Sequence, residues 1–264
     1  ADPYLPNKIR DGRLDDIREC IGCNVCVTHD YTMTPLRCTQ NPSMGEEWRR
    51  GWHPEKIAVT KMREQVLVVG AGPAGLEAGL SLARRGVEVK IADAGAAPGG
   101  RLQWETKLPG LAEWGRVKDW RLHQLSKLSN AEIFRGSTMT AEDVMEFGAP
   151  HVVVATGSQW RKNGIGRSLR SPVPGYDDPR TLSPEEVMRG AEVKGPAVIF
   201  DDDHYYVASA LAEHLARQGR AVTYVTSAGK VAEWSVFTAE QPRVHARLLE
   251  LGVEVVVNTL VSGL

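Results

Sequence analysis

Long apolar runs are missing from this chain: nothing in its 264 residues approaches the roughly 18 consecutive apolar residues that a membrane-spanning helix requires. The opening residues, Ala1-Asp2-Pro3-Tyr4-Leu5-Pro6, lack the charged and apolar regions of a secretory signal, so no membrane association and a cytoplasmic location are expected. A basic stripe is missing too. The 32 Lys and Arg residues are scattered against 33 Asp and Glu, and a net charge of -1 gives no surface for neutralising phosphates, which argues against a nucleic-acid partner. Cysteine is absent outside positions 20 to 38, which excludes staples spread through a secreted fold and leaves a cluster suited to a metal site. No short-period repeat or low-complexity tract is present. What remains, with 42% hydrophobic and 25% charged residues, is enough to bury the core of one large or two modest domains.

The pattern along the chain changes at about residue 60. From Asp15 to about Arg50 the sequence is polar and cysteine-bearing, no period persists, and Trp48 and Trp52 are available to pack against something larger. From Gln65 an apolar run (Val66 to Val69), a glycine-rich turn, a helical stretch ending at Gly86 and a second apolar run (Val87 to Ala92) form a βαβ unit. A third strand, His151 to Ala155, ends at Thr156-Gly157, and the Gly-, Pro-, Arg- and Ser-rich residues that follow read as a connector. Alternation resumes with strand Ala197 to Phe200, helix about Tyr206 to Gln218, strand Ala221 to Thr226, helix about Val236 to Leu251 and strand Val253 to Val257. The expected fold is α/β: two βαβ nucleotide-binding-like units with parallel sheets, preceded by a small metal-binding segment. The expected divisions are 1–60, 61–160, a connector over 161–190, and 191–264.

Cys20-x2-Cys23-x2-Cys26 puts three thiolates on one tight loop, and Cys38 completes the set after eleven more residues. A [4Fe-4S] cubane needs four converging thiolates, and the repeated x2 spacing resembles the run in bacterial ferredoxins. Structural zinc is the competing reading, but it more usually takes paired knuckles from separate hairpins. Disulfides are the third. Gly22 lets the backbone bend round a cluster, and Asn24 and Thr39 offer further donors to its sulfurs or serve simply as turn residues.

Gly70-x-Gly72-x-x-Gly75 follows a strand and opens a helix, the context in which this motif holds a pyrophosphate at a helix N-terminus. Ala74 lies within the turn. Asp93, 21 residues after Gly72, ends the second strand where it can accept from ribose hydroxyls. Gly99-Gly100 adds a second permissive stretch, with Arg101 either a cation near the pyrophosphate or a solvated surface arginine. Thr156 and Gly157 match the short signature that closes such domains in flavin disulfide-reductase-type enzymes. In the second unit the corresponding strand runs into Asp201-Asp202-Asp203-His204-Tyr205-Tyr206, with no glycine between Gly195 and Gly219. Three carboxylates there would repel a pyrophosphate, so this half is not expected to bind a nicotinamide nucleotide. The acidic triplet reads as a capped helix start rather than a divalent-metal site, and the two tyrosines as packing residues.

Together, Ile17 to Asn24, Gly51 to Lys56, the Gly70 turn, Gly99-Gly100 and Ala155-Thr156-Gly157 resemble the trimethylamine dehydrogenase and 2,4-dienoyl-CoA reductase family of iron–sulfur flavoproteins, over essentially the whole chain. The cysteine spacing and the Asp201-Asp202-Asp203 replacement are similar to the amine dehydrogenase branch. The resemblance implies an enzyme that oxidises an amine or N-methyl compound at FMN and passes electrons singly to the cluster and on to an electron-transferring flavoprotein. It implies ADP or FAD in the Gly70 domain, a homo-oligomer in the complete enzyme, and FMN in an N-terminal barrel, domain or subunit, that this sequence lacks. Residues 1–13 resemble that barrel's tail, so a fragment or incomplete chain is expected, with catalytic residues elsewhere. Two alternatives remain open: part of an NAD(P)H-dependent enoate or dienoyl-CoA reductase, and a non-catalytic electron-carrier subunit.

Overall fold

The computed structural model describes residues 2–49 and 57–263; Trp52 and the Gly51 to Lys56 stretch lie outside them. In chain order the elements are α1 (Leu5–Arg10), α2 (Val25–Tyr31), β1 (Val66–Val69), α3 (Pro73–Arg84), β2 (Val89–Asp93), α4 (Leu102–Glu105), α5 (Arg116–Ser126), β3 (Ala131–Arg135), α6 (Ala141–Phe147), β4 (His151–Val154), α7 (Pro184–Met188), β5 (Ala197–Asp201), α8 (Val207–Arg217), β6 (Val222–Thr226), α9 (Gln241–Glu250) and β7 (Glu254–Val256). Short 3₁₀ turns lie at Leu14–Asp16, Ala112–Gly115 and Glu233–Val236. The chain divides into two compact units: Ala1–Cys26, Pro35–Thr106 and Glu113–Ser158 form one; Val27–Thr34, Lys107–Ala112 and Gln159–Leu264 form the other.

The first unit is built on a parallel sheet of order β3-β2-β1-β4. Val66, Leu67 and Val68 are buried, as an inner parallel strand covered on both faces requires, and this explains the unbroken apolar run. Val69 pairs with Ala92 on one side and Val154 on the other, so strand order reverses at β1. Helix α3 starts with Pro73 in its first turn, where proline's missing N–H is no loss, and buries Leu76, Leu80 and Ala83 against Val66, Val68, Val89 and Ile91. Gly79 lets it lie close, since a Cβ there would stand 2.5 Å from Ile91 Cδ1.

The second unit holds a parallel sheet of order β5-β6-β7. Its core gathers Ala208, Ala212 and Leu215 of α8 with Val222, Tyr224, Val231, Leu248 and Val253.

Several elements differ from the sequence reading. His151–Val154 is the fourth strand, not the third, because Ala131–Arg135 forms an edge strand; its half-polar Ala-Glu-Ile-Phe-Arg has no apolar run to betray it. Helices α5 and α6 were also invisible to the coarse pattern, though α6 carries a complete capping box between Thr140 and Asp143 and a left-handed Gly148 at its end. The expected single helix over 236–251 is broken. A 3₁₀ turn ends at Val236, Ala239 has φ 61, and α9 begins afresh with Pro242 in its first turn, a residue that starts helices but does not continue them. The expected connector contains α7, capped by Ser183 and Glu186. Trp48 is 78% exposed, with the Arg49 guanidinium over its ring.

Candidate functional site

The glycine turn of the first unit lies where strand order reverses, at the carboxyl ends of β1 and β4, the position at which open α/β sheets bind ligands. Gly70 has φ 104, and a Cβ there would stand 2.3 Å from the Ala155 carbonyl oxygen, so the turns after β1 and β4 touch through backbone alone. A Cβ on Gly75 would stand 1.8 Å from the Gly70 carbonyl oxygen, which fixes glycine at the third position of the motif. Gly72 is different: nothing lies within 4 Å of its virtual Cβ, so its missing side chain leaves open space over the N-terminus of α3. No side chain caps that helix, and the amides of Ala74 and Gly75 in its first turn face the space an anion would take.

Around this turn the structure gathers the other predicted residues. Asp93 accepts from the Ala71 amide at 2.6 Å and from the Gly95 amide at 2.8 Å, which ties the end of β2 to the turn; each oxygen keeps a second lone pair for a hydroxyl. Gly99 (φ 123) donates its amide to the Ala71 carbonyl at 2.7 Å, and a Cβ on Gly100 would stand 3.2 Å from the Gly72 Cα, so this second glycine pair closes over the first turn. Thr156 and Gly157 follow directly from the Ala155 contact, Gly157 at φ 79. Arg101, the residue before α4, is neither free in solvent nor aimed at the turn alone: its Nε pairs with Glu105 of that helix at 2.8 Å.

The four cysteines all belong to the first unit and form no disulfide; Cys20 is exposed and Cys23, Cys26 and Cys38 are half-buried. Among the described residues no three His, Cys, Asp or Glu side chains are gathered closely enough to hold a metal ion. The loop nonetheless has the features of a thiolate site. Gly22 (φ 68) turns its amide to Cys20 Sγ at 3.4 Å, and Thr39 Oγ1 lies 3.2 Å from Cys23 Sγ. Asn24 adopts φ 51. Four free thiols with hydroxyl and amide donors beside two of them fit an iron–sulfur cluster in donor number and chemistry.

Residues that the sequence did not flag hold this loop. Buried Gln40 donates to the Glu19 carbonyl at 3.0 Å and accepts from Arg121 Nη1 at 2.9 Å, while Arg121 Nη2 reaches the Gln40 carbonyl at 3.3 Å. Arg121 Nε pairs with Glu77 of α3 at 2.8 Å. One buried network thus fastens the residues just before Cys20 and just after Cys38 to the helix that starts at the glycine turn. Arg116 adds a bond from its guanidinium to the Cys20 carbonyl at 3.1 Å and pairs with Glu19 and Glu113. Nothing in local spacing marks these residues, because their partners lie up to 96 positions away.

In the second unit the acidic triplet does not cap its helix. The N-cap of α8 is Tyr206, with no side-chain cap. Asp201, 1% exposed, accepts instead from the Tyr224 hydroxyl and, at 2.8 Å, from the His204 amide; burial pushes its carboxyl pKa up, and these bonds oppose the shift. Asp202 takes the Ser168 amide on both oxygens, at 3.0 and 3.1 Å. Ser168 Oγ meets Ser227 Oγ at 2.7 Å, and Ser227 meets His204 Nε2 at 2.9 Å. Tyr205 and Tyr206 stack edge to face.

Comparison with known proteins agrees with this arrangement. Residues 64–197 match the pyridine nucleotide-disulphide oxidoreductase family, and residues 182–264 match the OYE-like second alpha/beta domain. The chain is 43% identical to dimethylamine dehydrogenase of Hyphomicrobium sp. (strain x), over 98% of its own length and 36% of that protein. The chain belongs to the trimethylamine dehydrogenase and 2,4-dienoyl-CoA reductase-like family. Among solved structures of this family, 6-hydroxypseudooxynicotine amine oxidase from Pseudomonas geniculata N1 superposes with a TM-score of 0.96 at 48% identity, covering 100% of this chain and 40% of that one. Histamine dehydrogenase from Rhizobium sp. 4-9 gives 0.91 at 46% identity, covering 97% and 38%. The chain therefore spans well under half the length of each of these dehydrogenases and oxidases.

Proposed function

We propose that this chain is the electron-transfer and nucleotide-binding portion of a flavoprotein dehydrogenase that oxidises an amine or N-methyl compound. Cys20, Cys23, Cys26 and Cys38 hold a [4Fe-4S] cluster. Gly70, Gly72, Ala74, Gly75, Asp93, Gly99, Gly100, Arg101, Thr156 and Gly157 surround ADP or FAD. FMN and the substrate belong to a barrel outside this sequence, and an electron-transferring flavoprotein is the acceptor. When bound, the cluster supplies one-electron storage between a two-electron flavin and that acceptor. The residues of this chain would bind and orient: the α3 amides would hold a pyrophosphate, Asp93 would accept from a ribose, and Gln40 with Arg121 ties both ends of the cysteine loop to α3. Cys20, Cys23, Cys26 and Cys38 would be the ligands of that cluster, and its binding would be coupled to the local folding of their loop.

The single observation that carries the reading is the likeness, over 98% of this chain, to dimethylamine dehydrogenase. The four free thiols and the carboxylate-filled second turn support it. The test is to express the chain anaerobically, count iron, sulfide and zinc, and identify any extracted nucleotide by mass. About four irons with matching sulfide, and ADP without flavin, are expected. FAD together with bleaching by NADPH would move the chain to the reductase branch, and zinc without sulfide would sink the electron-transfer reading.

A further inference from the structure

The contact between Thr39 and Cys23 has a direction that chemistry decides. As a free thiol, Cys23 can donate to or accept from the Thr39 hydroxyl at 3.2 Å. As a thiolate ligand it carries no proton, so only the hydroxyl can donate. Resting on the cluster reading above, we propose that Thr39 is a potential-setting residue: its hydroxyl donates a hydrogen bond to the Cys23 sulfur and raises the reduction potential of the cluster.

The rest of the loop explains why this one hydroxyl is held in place. Its neighbour Gln40 is 1% exposed and fixed at both ends of its amide, by the Glu19 carbonyl and by Arg121. Arg121 is itself 3% exposed and anchored on Glu77. An exposed threonine next to a locked residue has little freedom beyond its own χ1, so the bond to sulfur costs little side-chain entropy. Gly22 supplies the companion donor, an amide 3.4 Å from Cys20 Sγ, but it is backbone and survives substitution. Thr39 is therefore the donor that side-chain replacement can remove. A hydrogen bond to a ligand sulfur withdraws charge from the cluster and favours the reduced, more negative state, so losing it lowers the potential.

The experiment compares the full chain in wild-type, Thr39→Val, Thr39→Ala and Thr39→Ser forms. Iron and sulfide are counted first, and each cluster is then titrated potentiometrically with the EPR signal of the reduced state as readout. The midpoint is expected to move negative in Thr39→Val and Thr39→Ala, with Thr39→Ser returning to the wild-type value. Loss of the cluster from Val and Ala while Ser stays loaded would also support the bond. A wild-type midpoint in a fully loaded Val or Ala variant overturns the role of Thr39. A wild-type chain without iron and sulfide is a separate outcome, which overturns the cluster reading and this inference with it.

Discussion

Gly72 and Gly75 stand three positions apart and are required for different reasons. A methyl on Gly75 collides with the Gly70 carbonyl oxygen at 1.8 Å, whereas one on Gly72 meets nothing within 4 Å. Gly75→Ala is expected to cost about 1–3 kcal/mol through forced backbone shifts, read as a lower melting temperature. Gly72→Ala, with an ordinary φ of -71, is expected to leave the melting temperature within the range of neutral surface changes. Its methyl nevertheless fills the open space over α3, so the nucleotide-to-protein ratio falls. An unchanged nucleotide-to-protein ratio in Gly72→Ala would show that the open space has no bearing on binding, and equal melting temperatures of the two variants would remove the Gly75 collision from the account. At this scale the glycine turn was legible in the sequence, because glycines at fixed spacing answer local demands of backbone geometry. Gln40, Arg116 and Arg121 were not, since a buried polar residue looks like any other until its distant partners are known.

The elements are joined by polar contacts as well as by the core. The 3₁₀ turn Leu14–Asp16 is held to α5 by Asp16, which accepts from Gln124 Nε2 at 2.8 Å and pairs with Lys127. Burial raises the Asp16 pKa, but the bonds from Lys127 and Gln124 outweigh it and hold the carboxyl at about 2. A folded-state pKa below the unfolded value means stability that is fully present above about pH 4 and is lost as pH falls towards 2. The contribution is about 1–2 kcal/mol after allowance for solvent screening. Denaturant midpoints for wild type and Asp16→Asn are therefore expected to differ at pH 6 and to converge only as pH falls through about 2. A constant gap across that range would remove Asp16 from the account. Element types followed from periodicity wherever a strand was buried on both faces, as β1 is. Ala131–Arg135 escaped because its half-polar Ala-Glu-Ile-Phe-Arg has no such run, and the break at Ala239 escaped because local backbone handedness leaves no mark in hydropathy.

Across the whole molecule, the two units share a parallel α/β plan but present different chemistry at the carboxyl ends of their strands. The first offers bare amides and open space. In the second, Asp202 accepts from the Ser168 amide on both oxygens, and buried Asp201 accepts from the His204 amide and the Tyr224 hydroxyl. NADH and NADPH are accordingly expected to give no saturable fluorescence change with the purified chain. A saturable response removed by excess ADP would instead place nicotinamide in the first unit.

The sequence by itself determined the α/β plan, the glycine turn and the grouping of the four cysteines, because each depends on residue type at short spacing. Only the tertiary structure decided what Asp201, Asp202 and Arg101 do. It also decided that strand order reverses at β1 and that Gln40 and Arg121 join the cysteine loop to α3. Those outcomes depend on hydrogen bonds between residues far apart in the chain, whose partners exist only once the backbone has brought them together.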